Sequence, residues 1–211
     1  GPGWFAQIGS DESPGTKLLS VAGDCHTPGV YEVPFGVTVK DVLAMVGAPN
    51  TIAVQVGGAA GEMVGPEGFA RTIGYEDLGT GGSVMVFGPG RDMLDIASRF
   101  MDFFIDESCG FCTPCRVGNV LIQERLRNII DGRGTPEDLD YLEELCATVK
   151  TCSRCGLGQT SPNPVLTTLK NFRSQYESRV REPPVGLRPS FDVRAALAEG
   201  EDIAGRPSEH F

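Results

Sequence analysis

Short runs of apolar and β-branched residues, separated by glycine and proline, dominate the first 90 residues of the chain. Thr38 precedes apolar residues at helical spacing and Gly47 follows them, which predicts a helix over 39–46. The strand pattern before and after it predicts a hairpin and then two further strands. The four predicted strands cover residues 17–22, 30–33, 52–56 and 84–87.

From residue 92 the apolar positions follow a helical period instead. A broad stripe rich in Met and Phe predicts a first helix that ends near residue 105, and its side chains are interpreted as core. A third helix begins at Thr135, with Pro136 at its first position and Asp138 completing an approximate capping box. The second and fourth helices are predicted over 116–131 and 165–176. The residues expected to face inward on the second helix are Val117, Val120, Leu121, Leu126, Ile129 and Ile130.

Together these patterns predict an α+β protein, in which a small β-grasp (ubiquitin-like) domain precedes an all-α four-helix bundle. Gly1-Pro2-Gly3 is typical of a cleavage remnant, which indicates a piece of a longer protein. The expected organisation is a linker or remnant over 1–15, the β-grasp domain over 16–90, the helical domain over 91–180 and a tail over 181–211.

The composition narrows the function. The formal net charge of −10 lacks the basic footprint of a nucleic-acid binder, so we expect no nucleic-acid partner. No apolar run is long enough to cross a bilayer, so direct membrane insertion is not expected. Seven cysteines are an odd number for a disulfide framework, and they favour metal-bound thiolates in a reducing compartment.

The central motif is a turn that carries Cys109, Cys112 and Cys115 at intervals of three residues. This CxxCxxC spacing directs three thiolates at one centre, as in proteins that bind a [4Fe–4S] cluster. No cysteine follows within a few residues, so the fourth ligand must be remote. The candidates by position are Cys146, Cys152 and Cys155.

Cys146 falls on the apolar side of the third helix and is interpreted as a core residue. Cys25, in a turn near Pro28, is interpreted as an unliganded surface thiol. His26 and His210 have no partner pattern, so no acid–base chemistry is assigned to them and no catalytic residue is predicted.

The residues from Glu107 to Gly118, followed at a distance by Cys155-Gly156-Leu157-Gly158-Gln159, resemble the cluster domain of NADH-oxidising flavoproteins. This family includes the flavin-carrying subunit of respiratory complex I, the diaphorase subunit of NAD-reducing hydrogenases and the corresponding subunit of NAD-dependent formate dehydrogenases. The motif after Cys155 is most similar to the hydrogenase branch. The residues before the cysteine turn resemble the soluble-ligand-binding type of β-grasp domain.

The resemblance implies that Cys109, Cys112, Cys115 and Cys155 bind one [4Fe–4S] cluster. It implies a cytoplasmic electron relay between flavin and further iron–sulfur centres in partner subunits. FMN and NAD are expected in the full-length protein or complex. Because nothing here matches the family's flavin and NADH site, we expect this chain neither to bind them nor to be catalytic alone.

Two other classes remain open. A structural zinc domain would pair Cys109 and Cys112, or Cys112 and Cys115, with Cys152 and Cys155. A β-grasp interaction module would leave the cysteines incidental.

The tail is either disordered or docks on a partner subunit. In the second case, its docking face consists of Phe191, Ala195 and Leu197.

Overall fold

The computed structural model describes residues 1–182 and 193–206. The chain divides into two compact units, Gly1–Arg181 and Glu182–Phe211. The first unit opens with a short helix, α1 (Pro2–Phe5), and continues into a mixed five-stranded sheet. The strands are β1 (Thr16–Gly23), β2 (Gly29–Pro34), β3 (Ala53–Val56), β4 (Glu62–Val64) and β5 (Ser83–Phe87).

The strand order in the sheet is β2-β1-β5-β3-β4. Strands β1 and β5 are parallel, while the other neighbours are antiparallel. Helix α2 (Val39–Met45) contributes Val39, Val42 and Leu43 to the core beneath the sheet. The Thr38 hydroxyl accepts a hydrogen bond from Asp41 N, and the Asp41 carboxylate accepts one from Thr38 N, so a complete capping box starts the helix. The predicted hairpin and helix are therefore confirmed.

Strand β4 is absent from the predicted elements. Its three residues lie between Gly61 and Gly65, so the glycine-rich composition hides it from a strand pattern. In the fold, Val54, Gln55 and Val56 of β3 pair with it. It forms one edge of the sheet, on the side where the helices begin.

The segment before β1 folds against the sheet region. Ser13 is fully buried, and its hydroxyl donates to the carboxylate of Glu76. Ser10 donates to the same carboxylate, and Gly15 N donates to Ile8 O. The predicted linker thus ends in residues that belong to the packed structure.

The second half of the first unit is helical. Leu94, Met101, Ile122, Leu142 and Val165 are among the apolar side chains that share its core. The π-helical turn Pro114–Gly118 leads directly into the second long helix. The helices are α3 (Met93–Asp106), α4 (Asn119–Ile130), α5 (Pro136–Cys152), α6 (Gly156–Thr160), α7 (Asn163–Asn171) and α8 (Arg173–Glu177).

The buried face of α4 differs from the predicted one. Val117, Val120 and Leu121 were expected inside, yet 42%, 46% and 36% of their surfaces are exposed. Two polar residues occupy the inner face because they find hydrogen-bond partners there, so apolar periodicity alone selects the neighbouring face. The residues of α4 that are buried are Asn119, Ile122, Gln123, Leu126 and Ile129.

The predicted fourth helix is wrong as a single element. Phe172 adopts φ −132° and ψ 34°, which ends α7 and separates it from α8. The Phe172 side chain packs against a small apolar cluster around Met63 and Met93. This contact accounts for the break. The additional short helix α6 also lies between the cysteine motif and α7, so the helical region has more elements than the four expected.

Helix α7 joins the sheet to the helical region. Thr167 Oγ1 accepts a 3.0 Å hydrogen bond from Met63 N, and Asn171 Nδ2 donates to Met63 O at 2.7 Å. Asn163 Nδ2 donates to Ala60 O at 2.7 Å. These side chains satisfy backbone groups at the edge of the sheet, which would otherwise remain unpaired.

The second unit contains helix α9 (Val193–Ala204). Phe191, which the predicted docking face of the tail requires, lies outside the described residues, as does the side chain of Ala195. His210 lies outside them as well. Within the described ranges, no helix is both long and apolar enough to span a bilayer.

Candidate metal centre

The cysteine turn follows directly after α3. Glu107 caps this helix, and Gly110 then adopts φ +74°, a left-handed conformation that a side chain disfavours. The chain reverses and enters the π-helical turn that carries Cys115. Such turns recur at functional sites, where they redirect side chains. The positive φ and the π turn together form the CxxCxxC loop.

Four cysteines line one cavity of about 110 Å³. Cys109 and Cys155 are exposed at its mouth, Cys112 is half-buried and Cys115 is buried. Cys155 enters from the opposite side, directly after α5 and at the cap of α6. The other lining residues are Glu107, Ser108, Phe111 and Leu157.

The remaining cysteines lie elsewhere. Cys146 is fully buried in the helical core, as predicted, and burial raises the pKa of its thiol to about 12. Cys152 is exposed at the end of α5 and is not among the residues that line the cavity. Cys25 was expected to be a surface thiol, but it is half-buried and packs against the core of the sheet region. His26 is exposed.

Hydrogen-bond donors surround the sulfur of Cys112. The backbone N–H of Arg154 is the main cause that lowers the pKa of this thiol, followed by the N–H of Cys115. Both N–H groups favour the thiolate, which is the form that binds a metal. The Cys115 N–H is free because it lies in the first turn of a helix, which agrees with the expectation that a helix N-terminus adjoins the site.

Cys115 has side-chain partners of its own. Asn119 Nδ2 lies 3.5 Å from its sulfur, and Ser108 Oγ lies 3.3 Å from it. Gly158 is close to both Cys115 and Ser153, since a Cβ atom at Gly158 would lie 3.1 Å from the Cβ of Cys115 and 2.5 Å from the Oγ of Ser153. The loop after Cys155 therefore packs tightly on the cysteine turn.

Two arginines brace the loop. Arg116 Nη1 donates a 2.5 Å hydrogen bond to Gly110 O within the same turn. The guanidinium of Arg154 lies over the ring of Phe111, 5.1 Å from its centre, although 71% of Phe111 is exposed. The cation–π contact connects the two cysteine-bearing segments. The sequence left the role of Arg116 open, and the structure assigns it to a carbonyl of its own loop.

The residues fit an iron–sulfur cluster in size and donor chemistry. Four thiolates around a cavity suit a four-iron cluster, which needs one thiolate per iron. A single zinc ion would instead require four sulfurs within about 2.3 Å of one point. Among the residues that the structure describes, no three Cys, His, Asp or Glu side chains approach closely enough to hold one ion.

Ser153 provides a second indication. Its hydroxyl is buried, has no hydrogen-bond partner with normal geometry, and makes only a minor contribution to the lowered pKa of Cys112. Unpaired buried hydroxyls are costly, so a sulfur-rich group in the cavity would supply the missing acceptor. This requirement favours a cluster with exposed sulfur over an empty apolar space.

Sequence reasoning missed the polar residues that support the sulfurs. Asn119 lies in a helix where asparagine ordinarily faces solvent, and Ser153, Arg154 and Ser161 belong to a loop with no distinctive spacing. Only proximity to a cysteine distinguished them.

The cavity and its helical support define an iron–sulfur class of domain. Residues 95–179 match the family described as the NADH-ubiquinone oxidoreductase-F iron-sulfur binding region, and this part of the chain belongs to that family. It is thus the iron–sulfur binding domain found in NADH-oxidising flavoprotein subunits of the hydrogenase diaphorase and complex I types.

Several relatives extend the match beyond this domain. The chain is 46% identical over 198 residues to the alpha subunit of NAD-reducing hydrogenase HoxS from Cupriavidus necator, covering 93% of this chain and 33% of the relative. It is 40% identical over 192 residues to the HndC subunit of the NADP-reducing hydrogenase of Solidesulfovibrio fructosivorans, covering 85% and 39%. Identity to a subunit of the NADH-quinone oxidoreductase of Streptomyces coelicolor is 33% over 190 residues, covering 85% and 42%.

A solved structure has the same fold. The crystal structure of NAD+-reducing [NiFe]-hydrogenase in the H2-reduced state matches with a TM-score of 0.81 and 38% identity, over 98% of this chain and 36% of that one. The chain therefore spans between a third and half of the length of the proteins it matches. The higher identity to the two hydrogenase subunits agrees with the predicted branch.

Proposed function

We propose that this chain is an electron-transfer module of an NAD-linked flavo-iron–sulfur oxidoreductase. Cys109, Cys112, Cys115 and Cys155 hold one [4Fe–4S] cluster, which accepts and donates single electrons. The observation that carries the proposal is the convergence of these four residues on one cavity. Cys155 is preferred to Cys152 because it lines that cavity while Cys152 lies at the surface.

The protein's contribution is to bind the cluster and to control its surroundings. The N–H groups of Arg154 and Cys115 stabilise thiolate at Cys112. Leu157 and the stem of Glu107 narrow the cavity and limit water around the sulfurs. Phe111 and Arg154 hold the two segments in position. No catalytic residue is assigned, because the chain sets the potential and position of an electron carrier.

The finer architecture belongs to the same proposal. The strand order with a parallel β1–β5 pair supports a β-grasp domain over 16–90. The four longer helices α3, α4, α5 and α7 support a bundle over 91–180. We assign 1–15 as the leading segment and 181–211 as a separate tail, in line with the division after Arg181.

The proposed partners are a flavin-bearing domain or chain and further iron–sulfur subunits. The names of the relatives support this, since they are subunits of hydrogenases and of NADH-quinone oxidoreductases. FMN and NAD would act in the larger protein or complex, in the cytoplasm. The exposed Cys109 and Cys155 place the mouth of the site at the surface, where a partner centre can approach within tunnelling distance.

Anaerobic purification followed by iron and acid-labile sulfide analysis tests the proposal, with EPR of the dithionite-reduced sample. We expect about four iron and four sulfide per chain and a reduced S = 1/2 signal. Cys155→Ser should lose most of the iron, whereas the matched variant Cys152→Ser should retain it.

Zinc in place of iron after anaerobic handling would contradict the proposal and favour a structural cysteine domain. Equal iron loss in both serine variants would contradict the ligand assignment. A metal-free, fully folded protein would favour the interaction module, since its cysteines would then be incidental.

A further inference from the structure

A buried polar pair lies behind the cysteine turn. Asn119 and Ser161 are both fully buried, although they belong to different segments 42 residues apart. Ser161 Oγ lies 2.7 Å from Asn119 Oδ1 and 3.1 Å from Gly158 O. Asn119 Nδ2 in turn lies 3.5 Å from the sulfur of Cys115. The pair links the loop after Cys155 to a proposed ligand on the other side of the cavity.

The orientation of the Asn119 amide follows from the chemistry of the sulfur. A cysteine that binds iron is a thiolate, which has no proton and can only accept hydrogen bonds. The amide must therefore direct Nδ2 at Cys115. Its Oδ1 then faces Ser161 and accepts the hydroxyl proton, so the serine holds the amide in this orientation.

We propose that Asn119 raises the reduction potential of the cluster by donating a hydrogen bond to Cys115, and that Ser161 positions it. The proposal rests on the function proposed above. Reduction adds negative charge to the cluster and its thiolates, so an N–H group directed at a ligand sulfur stabilises the reduced state more than the oxidised one. Burial excludes water, which strengthens the effect because water cannot screen the donor.

A purely structural role for Asn119 makes a different prediction. Gln123 is the other buried polar residue on the same face of α4, and its amide contacts Ser98 and Asp102 instead of a sulfur. If the helix face simply tolerates bonded polar groups, both residues should affect stability and neither should affect the potential. Gln123 is therefore a matched control.

The experiment is an EPR-monitored redox titration of the 211-residue chain, purified anaerobically, with iron content measured for each variant. Asn119→Leu removes the donor with little change in volume, and Gln123→Leu is its control. Ser161→Ala keeps the amide but releases its orientation. We expect a more negative midpoint potential in Asn119→Leu, a smaller shift of the same sign in Ser161→Ala and no shift in Gln123→Leu.

Asn119→Leu with a full cluster and an unchanged potential overturns the inference but leaves the proposed function intact. Equal shifts in Asn119→Leu and Gln123→Leu overturn it as well, because the effect would then come from helix packing. If Asn119→Leu does not assemble a cluster, Ser161→Ala decides, and an unchanged potential there rejects the inference. A wild-type chain without iron and sulfide rejects both this inference and the proposed function.

Discussion

The side-chain amide of Asn171 donates a 2.7 Å hydrogen bond to the main-chain carbonyl of Met63, across 108 residues of sequence. Met63 is fully buried in the edge strand β4, and its N–H is paired with Thr167 on the same helix. Both backbone groups of one strand residue are thus satisfied by side chains of α7. This is how the helix that follows the cysteine motif attaches to the sheet.

Asn171→Ala should lower the free energy of unfolding by about 1 to 3 kcal/mol, because it leaves the Met63 carbonyl without a partner. Chemical denaturation of the cluster-loaded chain measures the change. Lys170→Ala, at an exposed position on the same helix, serves as the control and should change stability little. Equal effects of the two substitutions would contradict the role assigned to Asn171.

The tight approach at Gly158 predicts a steric effect on cluster assembly. Gly158→Ala would place a methyl group 2.5 Å from the Ser153 hydroxyl oxygen and 3.1 Å from the Cβ of Cys115, so one of them must move. We expect less iron per chain after anaerobic reconstitution. Gly156→Ala is the matched control, because a Cβ there has no neighbour within 4 Å. Full iron loading in Gly158→Ala would show that the loop yields without moving a ligand.

Burial of Cys146 predicts a pH dependence of stability. Its pKa is about 12 in the folded chain, against an ordinary value of 9.0, because burial disfavours the thiolate. Between these values the unfolded chain loses the proton more readily than the folded one, so the stabilising contribution is full below pH 9 and disappears as the pH approaches 12. Denaturation curves of the parent and of Cys146→Val should diverge by at most about 1.4 kcal/mol per pH unit in this range. Parallel curves would refute the assignment.

The start of α5 predicts a stability effect that depends on position. The carboxylate of Asp138 accepts a 2.7 Å hydrogen bond from Thr135 N and pairs with Arg125 at 2.8 Å. Asp138→Ala should therefore cost about 1 to 2 kcal/mol in the free energy of unfolding, as loss of a helix cap does. Asp140→Ala removes the same charge two residues later, at an exposed position, and should cost much less. Thermal and chemical denaturation compare the two variants.

Local patterns in the sequence were sufficient for part of the fold. The hairpin, the capped helix at Thr38 and the helix starting at Thr135 each carry their own turn or cap residues, so short-range chemistry specifies them. Strand β4 carries no such signal. It is stabilised by β3 and by side chains more than 100 residues away, which a local pattern does not contain.

The site divides in the same way. The spacing of Cys109, Cys112 and Cys115 is itself a chemical motif, whereas Cys155 was selected over Cys152 through family resemblance. Asn119 and Gln123 were not predicted as buried, because hydrogen bonds formed only in the folded chain compensate their polarity. Phe172 shows the same limit, since a tertiary contact and not a helix breaker ends α7.

The attachment of α7 to the edge of the sheet has a consequence for the fate of the newly made protein. This helix begins eight residues after Cys155, so a chain that has not acquired iron lacks the anchor that fixes the preceding loop. If α7 separates, the backbone of Glu62–Val64 becomes an open strand edge, which can pair with another molecule. We therefore expect iron starvation to convert this chain into an aggregating or readily degraded species, which makes cofactor supply a checkpoint on its accumulation.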